Sequence, residues 1–184
     1  MTMFKKIHIL DEKDKRLRKV SEEVVFPLSK DEKKLIQQMI DNLYYSQIEK
    51  YAEKYNLRPG MGLAFPQVAI NKRIIVIVYE YEEGKFDNYV VINPKIISHS
   101  EEMIAADAGE GCLSVNREVD GHVPRYARIT VTGFDEEGNP VKFRVREELA
   151  IAFQHEIDHL NGILFYDHIN KKKPFITDGS IRLI

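Results

Sequence analysis

The stretch QHEIDHLNG, from Gln154 to Gly162, carries two histidines four residues apart, His155 and His159. On an α-helix this spacing puts both imidazole rings on one face, one turn apart, where a single divalent ion can bridge them. Glu156 lies beside the first histidine and can reach a water on that ion without being a ligand. The segment therefore predicts an H-E-x-x-H metal site, which we favour over two histidines with only packing or surface roles.

Two histidines leave such a site short of a ligand, because catalytic zinc-type sites use three protein ligands and keep one position open. Cys112, in the stretch EGCLS, is the only cysteine of the chain. It cannot form an internal disulfide, and a thiolate binds borderline and soft metals strongly. We expect Cys112 to complete a Cys-His-His site; the alternative is a small buried hydrophobic residue. The other candidate ligands are His99, Glu110, His122, Asp167 and His168.

The composition is that of an ordinary globular protein, with 43% hydrophobic and 30% charged residues. The length predicts a single domain over residues 1–184. A formal net charge of -2 indicates no general attraction to nucleic acid or acidic membranes, and no apolar run reaches membrane-spanning length. The start MTMFKKIHILDEKDKR is charged too early for a signal peptide, so we expect a cytoplasmic protein.

Two helices are predicted around these residues. SKDE, at residues 29–32, indicates a capping box, and apolar residues continue at helical spacing to Tyr55, before RPG at 58–60 ends the pattern. We read this segment as one long N-terminal helix with a packing role. The second helix runs from about Glu147 to Leu160, carries the H-E-x-x-H segment, and is ended by the Asn-Gly pair that follows.

The strands are predicted between the helices. RIIVIVYE (73–80) and YVVIN (89–93) are β-branched runs on either side of a turn at Gly84. ARITVTGFD (127–135) and PVKFRVRE (140–147) predict a hairpin around EEGN. In its second strand apolar and basic residues alternate, so one face should be exposed to water, as in antiparallel sheets. The fold class predicted is therefore α+β.

Three blocks follow one another along the chain: GMGLAFPQ (60–67), EGCLS (110–114) and QHEIDHLNG (154–162). In this order and spacing they resemble the peptide deformylase family, whose members remove the N-formyl group from nascent bacterial polypeptides. The resemblance extends from RLRKVSEEV (16–24) to FYDHI (165–169), and CLSVNREVDGHVPRY resembles the second bacterial subclass, common in Gram-positive relatives. It implies antiparallel sheets packed around a central helix that bears the H-E-x-x-H motif. One departure is Phe65, where the family usually has alanine; we expect it to affect only packing behind the cleft.

The resemblance also implies a metal and its ligands. Cys112, His155 and His159 would bind one ferrous ion, for which zinc, nickel or cobalt can substitute, with water in the fourth position. Glu156 would take a proton from this water and pass a proton to the departing amine.

The same resemblance implies which groups stabilise the oxyanion that forms during hydrolysis. Gln67 and the backbone N–H of Leu113 would donate hydrogen bonds to it. For Gln67 the alternative is a loop residue whose side chain ties its own backbone.

The substrate position is implied as well. Gly60 and Gly62 would let the backbone approach the peptide closely, and the first block would pair with the extended peptide as an added strand. Met61 and Ile151 would line the pocket for the methionine side chain, although core packing is an equal alternative for Ile151. Glu110 is expected to support the site through the backbone or an arginine, and not as a ligand.

The expected reaction is removal of the formyl group from the N-terminal methionine of nascent polypeptides, at the ribosome, with release of formate. Two other functions stay open. A metalloprotease that cuts internal peptide bonds would share H-E-x-x-H but would leave EGCLS unexplained. A metal-stabilised binding domain would need a fourth protein ligand, and none is apparent in the sequence beside the three candidates.

Overall fold

The computed structural model describes residues 4–184 and contains eight strands in two sheets. The strands are β1 (Gly62–Ala64), β2 (Ile74–Glu82), β3 (Lys85–His99), β4 (Met103–Ala105), β5 (Arg125–Tyr126), β6 (Arg128–Phe134), β7 (Pro140–Arg146) and β8 (Arg182–Leu183). The larger sheet is antiparallel, in the order β1-β2-β3-β6-β7. The smaller sheet has the order β5-β4-β8, and β4 runs parallel to β8. The α+β class with antiparallel sheets is confirmed, and the short β4–β8 pair adds a parallel pair to the smaller sheet.

Three α-helices accompany the sheets: α1 (Lys30–Ser46), α2 (Glu49–Tyr55) and α3 (Glu147–Leu160). The capping box is confirmed, since Ser29 and Glu32 bond reciprocally at the start of α1. The single long N-terminal helix is wrong, because the chain leaves the helix after Ser46. The Ser46 hydroxyl donates to the Leu43 carbonyl at 2.8 Å and accepts from the Gly60 N–H at 3.2 Å, and such side-chain bonds compete with the helix ladder.

Both predicted hairpins are present. β2 pairs with β3 across the turn at Gly84, and β6 pairs with β7 with Val131 opposite Phe143. β3 continues six residues past the predicted end at Asn93, because a change of register at Asn93 lets the strand go on to pair with β6. Asn93 has a φ of 51°, which fits a bulge that bends the strand without ending it.

The larger sheet is covered on both faces, which explains the uninterrupted apolar run of β2. Ile74, Val76 and Val78 pack with the apolar face of α1, whereas Ile75 and Ile77 pack with α3. All five are fully buried. Phe65 is the first residue of the 3-10 turn Phe65–Val68, and its side chain packs in the apolar cluster on the α1 side of the sheet.

The helix α3 lies against β1, β2 and β5, which brings both sheets to the segment that carries the histidines. Its residues Ala150, Phe153, Ile157 and Leu160 are buried against the larger sheet. Within residues 4–184, no helix is long and apolar enough to cross a membrane.

Candidate metal centre

The two histidines of α3 lie next to each other in a buried position. Their ring centroids are 5.1 Å apart, as expected for residues one helical turn apart. The apolar residues of α3 fix this orientation, because their burial against the larger sheet leaves His155 and His159 on the remaining face of the helix.

Cys112 lies beside these rings, in the loop between β4 and β5. Its Sγ atom is 3.3 Å from Nε2 of His159. One ligand atom each from Cys112, His155 and His159 can be chosen so that all lie within 4.8 Å of one another. These three donors are therefore close enough together to be candidates for holding one metal ion, with the three protein ligands that catalytic zinc-type sites use.

The other candidate ligands are engaged elsewhere. His99 stacks on Tyr126, with ring centroids 3.8 Å apart, and His168 Nε2 is 2.7 Å from Asp158. His122 Nδ1 accepts a hydrogen bond from the Ile176 N–H, and Asp167 forms a salt bridge with Arg18. In the part of the chain that the structure describes, the Cys112 cluster is the one group of three or more His, Cys, Asp or Glu residues with a metal-binding geometry.

Glu110 holds the first histidine from behind. Its Oε2 atom is 2.8 Å from Nδ1 of His155, which leaves Nε2 of that ring for an ion. Arg125 donates to both Glu110 oxygens at 2.8 and 3.0 Å, and also to Asp158 at 2.6 Å. Burial by itself would raise the pKa of Glu110, but the hydrogen bonds from His155 and Arg125 outweigh it and lower this pKa to about 2. Glu110 is therefore an ionised partner for the histidine.

Glu156 is only 4% exposed, and it lines the same cavity as Cys112 and His155. Its Oε2 atom is buried and has no hydrogen-bond partner within residues 4–184. Burial raises the pKa of this carboxyl to about 7, although the nearby His155 opposes the shift. A buried carboxylate with one unsatisfied oxygen and a near-neutral pKa is suited to accept and return a proton at neutral pH.

His159 has the electronic state that a metal ligand requires. Burial lowers the pKa of its ring, and the nearby His155 lowers it further. The neutral imidazole can therefore bind a cation through Nε2, the atom that faces Cys112. One thiolate and two imidazole donors suit a single borderline divalent ion.

Gln67 is 1% exposed and has two roles in the local geometry. Its Oε1 atom accepts a hydrogen bond from the Ala64 N–H at 2.9 Å, so the side chain does tie its own loop. Its Nε2 atom donates to Ser114 Oγ at 3.1 Å and lies 3.7 Å from Cys112 Sγ. The bond from the Ala64 N–H orients the Gln67 amide, and this orientation places the Nε2 atom next to Cys112.

A cavity of about 780 Å³ opens onto these groups. Of the ten site residues implied by the resemblance, all line it except His159, which is 1% exposed and contacts Cys112. Met61 and Ile151 form part of its apolar wall. The first block, the cysteine loop and α3 thus meet in one cleft.

Two glycines of the first block, Gly60 and Gly62, lie against Leu113 and Glu156. A Cβ atom at Gly60 would be 2.7 Å from Cδ1 of Leu113, and one at Gly62 would be 2.5 Å from Oε1 of Glu156. Real Cβ atoms do not approach other atoms so closely, so the absence of a side chain at these positions leaves room for Leu113 and for the Glu156 carboxylate.

Gly62→Ala should therefore act through Glu156. Because the added methyl group has to displace the carboxylate, we expect kcat to fall by about 10²-fold, the lower end of what a general acid–base group contributes. Gly111→Ala is the control, since a Cβ at Gly111 in the same cleft would meet no atom within 4 Å. Steady-state kinetics of both variants test this; equal kcat values would show that the contact at Gly62 is unimportant.

Three residues near the centre were not singled out by sequence reasoning. Asp158 had a usable signal, because it lies three residues after His155 and so on the same side of α3. Arg125 and Arg58 had none, since they bond to Glu110 and to the Cys112 carbonyl from segments that are distant in sequence.

The chain is similar to known proteins in both sequence and structure. The family model described as polypeptide deformylase matches residues 6–175. The chain is 51% identical over 173 residues to "Peptide deformylase 2" of Bacillus anthracis, which covers 94% of both chains. It is 54% identical over 158 residues to a peptide deformylase of Listeria welshimeri, covering 86% of each. The solved structure of the peptide deformylase from Thermus thermophilus is similar at a TM-score of 0.74 and 32% identity, covering 91% of this chain and 88% of that one.

Proposed function

The chain belongs to the polypeptide deformylase family, and from that premise we propose that Cys112, His155 and His159 bind one ferrous ion while Glu156 carries the proton. Enzymes of this family are metal-dependent and hydrolyse N-formylmethionyl peptides. The chain accordingly removes the formyl group from the N-terminal methionine of nascent polypeptides and releases formate. Its relatives named "Peptide deformylase 2" support its place in the second bacterial subclass.

The observation that carries the ligand assignment is the triangle of Cys112, His155 and His159, with ligand atoms within 4.8 Å. When bound there, the cation supplies Lewis acidity, which lowers the pKa of a water from about 16 towards about 7 and polarises the formyl oxygen. Zinc, nickel or cobalt would fit the same three donors.

Glu156 would act first as a base and then as an acid. Its buried Oε2 atom accepts the proton of the attacking water, and the same carboxyl then donates a proton to the departing amine. Burial supports both steps, because it raises the pKa of this carboxyl and so favours uptake of the proton that is later released. Gly62 leaves the space in which the carboxylate sits.

Gln67 and Leu113 would stabilise the oxygen of the former formyl group as it becomes negative. The Gln67 amide is held by Ala64 and Ser114, so its N–H is oriented before the substrate arrives. Such donors stabilise the transition state most when they need no reorganisation.

The peptide would lie along the open edge of β1. This strand pairs with β2 on one side only and forms the edge of the larger sheet, so a peptide could be added on its other side, next to the Ala64 N–H that is bonded to Gln67. Met61 and Ile151, on the wall of the cavity, would contact the methionine side chain. We further propose that residues 1–184 form one catalytic domain that acts in the cytoplasm on chains emerging from the ribosome.

Gln67→Ala should lower kcat and kcat/KM together by about 10²–10³-fold, with KM little changed, because an oxyanion donor acts in the transition state. Gln67→Glu is the matched variant. It keeps an oxygen for the Ala64 N–H but removes the amide donor, so it should be at least as slow. Steady-state kinetics decide the matter: an effect on KM alone would make Gln67 a binding residue.

Formate release from formyl-Met-Ala-Ser by iron-loaded protein tests the proposed site and reaction together. The assay should be anaerobic, since a thiolate beside ferrous iron is readily oxidised. We expect formate to appear with the tripeptide left intact. Cleavage of an internal bond in a longer unformylated peptide would instead support a metalloprotease.

A further inference from the structure

Arg58 lies in the loop between α2 and β1 and joins that loop to the cysteine segment 112–116. Its Nη2 atom donates to the carbonyl oxygens of Cys112 and Val115, the latter at 3.0 Å. Its Nη1 atom donates to Asn116 Oδ1 at 2.8 Å. A planar guanidinium can make such a set of bonds at fixed angles, which a lysine cannot reproduce.

The Cys112 carbonyl is the important acceptor, because it belongs to the same peptide group as the Leu113 N–H. The peptide is planar, so fixing the direction of the carbonyl also fixes the direction of the N–H on its opposite side. The carbonyl also accepts from the Val115 N–H at 3.0 Å, which closes a turn. The Leu113 N–H itself has no acceptor among the residues that the structure describes, and Leu113 lines the cavity.

We propose that Arg58 is a positioning residue whose guanidinium orients and polarises the Cys112–Leu113 peptide, so that the Leu113 N–H becomes a stronger oxyanion donor. Hydrogen bonds in series strengthen one another, and a charged donor gives the largest effect. The inference rests on the proposed role of the Leu113 N–H in deformylation. Arg58 acts through this peptide and contacts neither the metal ligands' side chains nor the reacting atoms.

The competing explanation is that Arg58 only tethers two loops. The chain offers a matched control for tethering, because Arg117 follows on the same segment and holds Glu12 with bonds of 2.7 and 3.1 Å. Removing Arg117 takes away a guanidinium that tethers this segment but leaves the Cys112 carbonyl unchanged.

Arg58→Ala should lower kcat about tenfold, less than full loss of an oxyanion donor because the Val115 turn still holds the carbonyl. KM, iron content and melting temperature should stay close to the wild-type values. Arg58→Lys should be intermediate, and Arg117→Ala should keep the wild-type kcat. Millimolar methylguanidine should restore kcat of Arg58→Ala in a saturable manner, whereas the same concentration of sodium chloride should not.

A spectroscopic measurement on the zinc form tests the polarisation without turnover. The ¹⁵N resonance of Leu113 should move upfield in Arg58→Ala, because the Cys112 carbonyl of the same peptide group loses a charged hydrogen-bond donor. The resonance should not move in Arg117→Ala. An unchanged kcat, a rise in KM alone, loss of the metal or an unmoved Leu113 resonance would each overturn the inference. If wild-type protein releases no formate, the proposed function fails, and the Leu113 resonance still decides the role of Arg58.

Discussion

Replacement of Glu156 by glutamine should abolish most turnover and leave one metal ion bound per chain. The amide has nearly the same shape as the carboxyl group, but it cannot accept and return a proton. Because a positioned acid–base group contributes about 10²–10⁴-fold, we expect kcat to fall by that amount. The burial of this group and the unpartnered Oε2 atom are the observations behind this expectation. Formate release and elemental analysis of the same preparation measure both quantities.

Glu148→Gln is the control for this substitution. Glu148 is an exposed glutamate on the same helix, α3, and lines the same cavity, so the change in charge is equal. It should keep kcat within a few-fold of wild type. A Glu156→Gln variant of near wild-type activity would remove Glu156 from the mechanism, and one without metal would make Glu156 a ligand.

Replacement of Cys112 by serine should remove both the metal and the activity. A neutral hydroxyl is a poor substitute for a thiolate, and the two remaining histidines do not complete a three-ligand site. We expect metal affinity to fall by more than about 10²-fold, because changing residues that only support the ligands already costs 10–100-fold. Cys112→Asp should retain some metal but prefer harder ions, since its carboxylate is an oxygen ligand.

Metal content of these variants is measured after dialysis against a weak chelator. His168→Gln is the control, because His168 contacts Asp158 and lies outside the metal cluster. It should keep the metal. If Cys112→Ser binds metal stoichiometrically and works at the wild-type rate, Cys112 is only a small buried residue.

The elements that sequence patterns predicted best are those with a strong local signal. The helix α3 and the strands β6 and β7 have apolar residues at a clear period and recognisable ends, and they are present with nearly the predicted bounds, whereas β3 extends beyond its predicted bounds at both ends. The N-terminal helix has an equally clear period but breaks at Ser46, because that side chain bonds to Gly60 in a distant loop. The pairing of β4 with β8 depends on contacts between segments far apart in sequence, and a two-residue strand carries no pattern of its own.

The site shows the same division between local and distant information. The spacing of His155 and His159 on a helix predicts their common face, so this half of the cluster follows from the sequence alone. The proximity of Cys112 depends on the path of the loop between β4 and β5, which no local pattern specifies. Cys112 could be proposed as the third ligand because it is the only cysteine of the chain, and the family resemblance supported that choice, but neither indicated that Arg58 binds the carbonyl of the same cysteine.

Titration of metal-free protein with ferrous iron, in the absence of oxygen, tests the central claim most directly. Formate release from formyl-Met-Ala-Ser should rise linearly with added iron and stop rising at one ion per chain. Glu156→Gln should bind the same single equivalent and show almost no turnover. Full activity in the presence of a strong chelator, or a break at two ions per chain, would contradict a catalytic centre built from one ion on Cys112, His155 and His159.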